Sequence, residues 1–283
     1  MSYCIIVDSG SLIKNGDIPD VFVVPMTLTR TEKDKTRTLR DGIDINTKEM
    51  VIEMEKGIEY KTASPVMGEC ADLLDKVSKG YDQVYVLSLS SYLSGEYNQW
   101  ILLADDYSNV HVYNTNGVCD MLLWIVNEIK ALDNVTPELV TKIVKEHIDK
   151  SNITIIATEF NYLIKGGRIN PIKLLIAKYL RYKLVLDLDK NKGVNLVGKT
   201  LRINMIPKIV NEHYKTTIGY NGNNIDKLVI FTSGLENEKS NVKPIVELLK
   251  ANFKNVDIKY SSLPSVFTAH LGTNYVAIAI KCK

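Results

Sequence analysis

Residues 88–97 read SLSSYLSGEY, four serines in ten residues directly after the apolar run Val84–Leu87. Hydroxyls crowded where a strand ends and a helix begins can do one of three things. They can cap the helix, one of them can act as a nucleophile beside a base, or they can stand as donors to an anion at the helix N-terminus. The strand-then-hydroxyl pattern occurs twice more, in DSGSL at 8–12 and in KTASPVMGE at 61–69. There Thr62 and Ser64 precede Pro65, which is predicted at the first helical position. Any single loop of this kind reads first as a cap, because Ser and Thr are preferred there. Three in one α/β half shift the reading toward a shared site, since the strand ends of an open sheet converge where ligands bind.

Two later stretches add charged chemistry. YLIKGGRIN, residues 162–170, places Arg168 behind a glycine pair. That pair is either a helix C-cap beside a surface arginine, or a backbone bared for close approach. VFTAHLGTN, residues 266–274, places His270 just before a predicted terminal strand, in a structural or a functional role. The other histidines, His111, His147 and His213, fall inside ordinary strand or helix patterns. Ser94 or Ser91 with His270 and an acid such as Asp8 would make a hydrolase triad. The context Leu93-Ser94-Gly95-Glu96 is not a G-x-S-x-G elbow, which weighs against it. No G-x-G-x-x-G or G-x-x-x-x-G-K-[ST] loop is present for a nucleotide.

Short β-branched runs must carry these loops. Tyr3–Val7, Val21–Met26, Val84–Leu87, Val110–Val112, Ile153–Ala157, Leu184–Leu188, Leu228–Phe231 and Val256–Tyr260 are predicted strands. Helical spacing predicts Glu49–Lys56, Met67–Lys79, Tyr97–Asp105, Asp120–Ala131, Glu138–Lys150, Met205–Tyr214 and Lys239–Asn252 as helices. Thr136-Pro137-Glu138 has the form of an N-cap, a first-turn proline and a first-turn acid. The alternation predicts an α/β protein, with a mainly parallel sheet in an N-terminal domain at 1–152. A C-terminal domain at 153–283 should carry a mixed sheet with helices, because DKNKG reads as a hairpin turn there. The chain is free to cross between the two. TRTEKDKTRTLRDG, residues 29–42, holds five basic and three acidic residues. It reads as a solvated loop, or as a docking surface for a partner or an anionic membrane.

Composition bounds what remains. The chain has 283 residues, 45% of them hydrophobic and 24% charged, enough for a substantial core and two domains. A net charge of +2 gives no strong field for nucleic acid or membrane, so no nucleic-acid partner and at most transient membrane contact are expected. The opening MSYCIIVDSG breaks its apolar run at Asp8 and lacks a basic lead, unlike a signal peptide. No run approaches the 18 or so apolar residues of a spanning helix. Cys4, Cys70, Cys119 and Cys282 lack metal-site spacing and read as reduced thiols. A cytoplasmic protein with no metal and no cofactor is expected.

The ordered motifs resemble those of the DegV family of bacterial fatty-acid-binding proteins. They run as Asp8-Ser9-Gly10-Ser11, Val24-Pro25-Met26, Asp41-Gly42, Thr62-Ala63-Ser64-Pro65 and Ser90-Ser91-Tyr92-Leu93-Ser94-Gly95. Lys165-Gly166-Gly167-Arg168-Ile169, Lys199-Thr200-Leu201-Arg202 and His270-Leu271-Gly272 complete the series, which spans essentially the whole chain. The resemblance implies a two-domain α/β fold with one long-chain fatty acid in a tunnel between the domains. It implies that Thr62 and Ser94, with Ser91 the alternative serine, hold the carboxylate, and that Arg168 and His270 lie close to it. Arg202 matches an arginine implied in partner or phosphate contacts. The partner would be the ATP-binding subunit of a fatty acid kinase, which makes the acyl phosphate from the acid presented to it.

Several positions depart from the family pattern. Gly10 and Ala63 replace hydroxyl residues, and Glu96 stands where a threonine is usual. Asn114-Thr115 replaces an aspartate-serine pair, and Tyr182-Lys183-Leu184 an I-K-P stretch. A carboxylate at Glu96 is unfavourable beside a bound carboxylate unless it points away or is solvated.

Overall fold

The computed structural model describes residues 2–167, 182–233 and 242–283. These divide into two compact units, one of Met1–Ile45 with Thr62–Ile148, the other of Asn46–Lys61 with Asp149–Lys283.

The first unit is built on a four-stranded, wholly parallel sheet. Its strands are β1 (Tyr3–Asp8), β2 (Val21–Val24), β6 (Gln83–Ser88) and β7 (Val110–Asn114), in the order β2-β1-β6-β7. A parallel sheet is covered on both faces, and Ile5, Ile6, Val84, Tyr85 and Val86 are accordingly buried on both sides of their strands. Helices α2 (Met67–Gly80) and α3 (Glu96–Ala104) bring Cys70, Leu74, Val77 and Trp100 onto Cys4, Ile6, Val84 and Val86. Helices α4 (Asp120–Lys130) and α5 (Pro137–Lys150) also belong to this layer system. The Thr136 hydroxyl caps α5, accepting from Leu139 N at 3.3 Å, as its T-P-E sequence requires. Register pairs Asp8 with Val24 and Ser88 with Asn114, so the strands end level along one edge. That edge carries two of the three hydroxyl loops, those after Asp8 and Ser88; the loop at 62–64 instead ends a strand of a separate sheet, so the three do not share one sheet's edge.

Val21–Met26 is not one strand. Pro25 can donate no ladder hydrogen bond; β2 stops at Val24 and β3 (Thr27–Glu32) starts a separate sheet. The basic stretch predicted as a loop is instead a hairpin of β3 with β4 (Lys35–Arg40). Lys33 and Asp34 form its turn at φ of 45° and 65°, matching the two-residue turns whose twist suits a hairpin. Alternating threonines and the Arg30–Glu32 ion pair at 2.9 Å stabilise strands that contain few apolar residues. β5 (Glu59–Ala63), not foreseen, leads the chain into the first unit and joins this sheet in the order β4-β3-β5. α2 begins at Met67, so Pro65 precedes the helix instead of opening it.

The second unit holds a six-stranded mixed sheet in the order β10-β9-β8-β13-β11-β12. The strands are β8 (Ser151–Ala157), β9 (Lys183–Asp189), β10 (Gly193–Thr200), β11 (Ile225–Thr232), β12 (Lys259–Ser262) and β13 (Tyr275–Cys282). The DKNKG turn closes the antiparallel β9–β10 pair at Asp189↔Gly193. β11 and β12 pair in parallel, and the remaining neighbours are antiparallel. Every residue of the central β13 is buried. Helices α7 (Ile206–Thr217) and α8 (Val242–Asn252) cover it with Ile206, Val210, Tyr214, Ile245 and Leu249. Residues 239–241 of the last predicted helix lie outside the described residues. Asn46–Lys61 contributes α1 (Thr47–Glu55), opened by a capping box between Asn46 and Glu49. Two short helices, α6 (Asn161–Gly166) and α9 (Ser265–Leu271), were also not foreseen.

All four cysteines are free and buried. Among the described residues no helix is long and apolar enough to cross a membrane.

Candidate functional site

The hydroxyls at the sheet edge separate into two sets by what their oxygen and hydrogen already do. Ser9 Oγ donates to Asp41 Oδ2 at 2.8 Å and accepts from Met26 N at 3.1 Å. It thereby joins the D-S-G, V-P-M and D-G stretches into one scaffold. Ser11 Oγ donates to Asp8 O at 2.7 Å and accepts from Ile13 N. Ser90 Oγ donates to Asn116 Oδ1 at 2.8 Å, and Ser88 Oγ to Leu89 O at 3.2 Å. These four serines hold backbone and loops together. The DSGSL loop therefore supplies scaffold, not free donors.

Ser91 and Ser94 differ. Both are half-buried, and both have the oxygen engaged as an acceptor. Ser91 Oγ accepts from Asn114 Nδ2 at 2.8 Å, and Ser94 Oγ accepts from Glu96 N at 3.2 Å. Ser94 Oγ also lies 3.2 Å from Ser64 Oγ, which brings the β5–α2 and β6–α3 loops together. Thr27 Oγ1 donates to Ser64 O at 3.2 Å and fixes that loop. Thr62 is half-buried on β5, two residues before Ser64. Each of these hydroxyls accepts one hydrogen bond, and with one donor of the Ser64–Ser94 contact used between them, Ser91 and one member of that pair keep a hydrogen to give. This half of the arrangement is suited to receiving an acceptor such as a carboxylate.

Behind these loops lies a pair of buried acids. Asp8 is 0% exposed and Glu96, the first residue of α3, is 1% exposed. Gly10 N donates to Asp8 Oδ1 at 2.6 Å and Trp100 Nε1 donates to Glu96 Oε1 at 2.9 Å. The two carboxyls lie close enough that the charge of Asp8 raises Glu96. Their second oxygens, Asp8 Oδ2 and Glu96 Oε2, have no hydrogen-bond donor. Two buried carboxylates side by side cannot both stay ionised, so the pair keeps at least one proton. Burial foremost, and then the charge of Asp41, pushes Asp8 up to about 7 against the opposing Gly10 N–H. Burial and the charge of Asp8 raise Glu96 well above the carboxylate range. Glu96 thus points away from the hydroxyl loops into the core, and its backbone N–H faces Ser94.

In the second unit, His270 lies near the end of α9 and packs on α6. A Cβ at Gly166 would collide with His270 Nδ1, so the ring fills the space the glycine leaves. Gly272 likewise leaves room for the ring of Tyr162. Gly167 is the C-cap of α6 at φ 72°. Gly166 thus allows a close approach and Gly167 caps the helix. Arg168 lies outside the described residues. Arg202 is exposed at the head of the turn Ile203–Met205, its backbone N–H donating to Thr200 Oγ1 at 3.0 Å. Among the described residues no group of three or more His, Cys, Asp or Glu side chains is placed to hold a metal ion.

Sequence reasoning gave no role to Ser64 or to the side chain of Asn114. The first had a signal, its place beside Thr62 ahead of a proline; the second showed only as a departure from a pattern. For the triad reading, Asp8 is engaged by Gly10 and Glu96, and Ser91 by Asn114.

The family model described as "Uncharacterised protein, DegV family" matches residues 2–283. DegV domain-containing protein MG326 of Mycoplasma genitalium is 29% identical over 291 residues, covering 98% of this chain and 97% of the relative. A fatty-acid-binding DegV family protein of Thermus thermophilus superposes with a TM-score of 0.81 at 19% identity, over 100% of both chains. A stearic-acid-binding protein of Eubacterium ventriosum superposes at 0.76 with 20% identity, over 99% and 98% of the two chains.

Proposed function

Because this chain belongs to the DegV family, we propose that it binds one long-chain fatty acid by its carboxylate and acts as a carrier. The observation that carries this reading is the polarity of Ser91 and Ser94. Their oxygens accept from Asn114 Nδ2 and Glu96 N, which leaves the Ser91 hydrogen, and one hydrogen of the Ser64–Ser94 pair, to donate. Thr62 joins them as a donor, and Arg168 and His270 serve the head group. The carrier performs no bond-making step; it presents the acid to a separate ATP-dependent fatty acid kinase, which forms the acyl phosphate. Arg202, exposed on the second unit, serves partner contacts. Related structures support the ligand class, since the Eubacterium ventriosum protein binds stearic acid.

The energetics suit such a ligand. Burying about fourteen methylenes at ~0.8 kcal/mol each gains roughly 11 kcal/mol. Association costs on the order of 4–15 kcal/mol, so tight binding requires a preformed site. A buried carboxylate without donors would cancel the gain. Hydroxyls already held in place by Asn114, Glu96 and Thr27 supply the donors at little reorganisation.

Native mass spectrometry of the purified protein under gentle conditions tests this. A single co-purifying mass in the fatty acid range is expected. No bound lipid, together with no rise in melting temperature on adding any acid from myristic to stearic, overturns the reading.

A further inference from the structure

β4 is the outer strand of the three-stranded sheet, and among the described residues it pairs only with β3. The two-residue turn at Lys33–Asp34 makes Glu32↔Lys35 a hydrogen-bonded pair, and Arg30↔Arg37 and Leu28↔Leu39 follow at alternate steps. The backbone N–H and C=O groups of Lys35, Arg37 and Leu39 therefore face β3, and those of Thr36, Thr38 and Arg40 face outward. At Arg40 the chain closes this edge itself. Arg40 N donates to Asp44 Oδ2 at 2.8 Å, and Arg40 O accepts from Ile43 N and Asp44 N. Thr36 and Thr38 are exposed, and no described residue covers their outward groups. The edge strand β2 is treated differently. There the Asn15 side chain donates to Val23 O at 3.0 Å and accepts from Val23 N at 2.8 Å, while Ile18 O takes Val21 N.

The open stretch is also basic. Arg30 and Arg37 stand directly opposite on one face, with Lys35 beside them, and like charges so placed cost stability. Glu32 pairs with Arg30 at 2.9 Å. Among the described residues Lys33, Lys35 and Arg37 make no ion pair. Arg30, Glu32, Lys33, Lys35, Thr36 and Arg37 line a hollow of about 440 Å³.

We propose that the open edge of β4 takes on an extended, acidic segment of a partner protein as an added strand. This goes beyond the carrier reading and does not depend on it. Basic side chains on an edge oppose pairing with a second copy, which would bring like charges together. The same charges favour a strand of opposite sign. Side chains alternate between the faces of a strand, so acids at every second position would meet Lys35 and Arg37. The positions between them would lie on the face of Thr36 and Thr38. β4 has no exposed apolar side chain to enter a bilayer, which favours a protein strand over a membrane. The added strand would extend the sheet that holds Thr62 on β5 and that fixes the Ser64 loop through Thr27.

The probe is a blocked, fluorescein-labelled peptide, Glu-Val-Glu-Thr-Glu-Val, added to the full chain. The same peptide with lysine in place of glutamate, and phosphatidylglycerol vesicles, are the comparisons. Fluorescence anisotropy should show saturable binding of the acidic peptide that weakens with salt, and none of the lysine peptide. Lys35→Glu with Arg37→Glu should lower the affinity for the acidic peptide roughly tenfold or more and admit the lysine peptide. Thr38→Pro removes one outward N–H while sparing the pairing with β3, and should abolish binding. Melting curves show whether it folds, and Thr36→Pro replaces it if it does not. Amide hydrogen exchange is the second readout: the acidic peptide should slow exchange at Thr36 and Thr38 and leave Arg37 and Leu39 unchanged. Binding that survives the proline without this protection means a diffuse charged patch. Protection that appears without peptide and grows with protein concentration assigns the edge to a second copy, and binding to the vesicles alone assigns it to a membrane. Each of these, or no binding of the acidic peptide at all, overturns the inference.

Discussion

Replacing Glu96 by Gln should make the protein more stable than wild type as pH rises, and the structure sets the size of the effect. In the wild type burial and the closeness of the two acids keep at least one proton on the Asp8–Glu96 pair. The unfolded carboxyls release their protons near the reference values of 3.8 and 4.5, whereas Asp8 in the fold is raised to about 7 and Glu96 higher than its reference. Between about pH 4.5 and 7 the folded state thus binds more protons than the unfolded one. Stability is full below the unfolded values and is lost as pH rises, at about 1.4 kcal/mol per pH unit for each extra proton the fold holds. In Glu96→Gln the amide oxygen keeps the Trp100 contact and the NH₂ group donates to Asp8. No retained proton is then needed, and Asp8 also loses the neighbouring charge. The stability difference between variant and wild type should widen by up to about 3 kcal/mol from pH 5 to pH 7, taking that slope over the interval. Urea unfolding at pH 5, 6 and 7 measures it, with the infrared band of a buried protonated carboxyl as a second readout, present in wild type only. A separation that stays constant or narrows over this range, with no such band, would refute the retained proton.

Ser94→Ala and Thr62→Ala should each weaken fatty acid binding about ten- to a hundredfold, and their effects should be non-additive because they serve one ligand group. Titration calorimetry of the single and double variants checks this. A fluorophosphonate should leave Ser94 unlabelled and activated acyl esters should give no burst; stoichiometric labelling would favour a hydrolase. Gly166→Ala should destabilise the fold by about 1–3 kcal/mol, the cost of forcing a methyl into filled space. The loss should shrink in a His270→Ala background, where thermal melts would show the rescue.

Sequence alone determined the elements whose causes are local. Strands buried on both faces are continuous apolar runs, so β1 and β6 were evident, and helical period marked α2, α4 and α5 to within a residue or two. DKNKG and Thr136-Pro137-Glu138 act through their own backbone and behaved as read. The hairpin in the basic stretch was missed because its pairing comes from cross-strand partners and a left-handed turn at Lys33–Asp34, not from apolar alternation. No local feature marks Asn46–Lys61 as part of the second unit; that follows from what it packs against. The hydroxyls show the division most plainly. Their crowding at strand ends was legible, but which of them can donate was not. A hydroxyl's polarity depends on its partner, and those partners come from elsewhere in the chain: Asp41 for Ser9, Asn116 for Ser90, Asn114 for Ser91 and Ser64 for Ser94. Glu96 read as a charge beside the loop for the same reason. Only the fold buries it beside Asp8, where burial and that charge raise it well above the carboxylate range and make a surface-type residue part of the core.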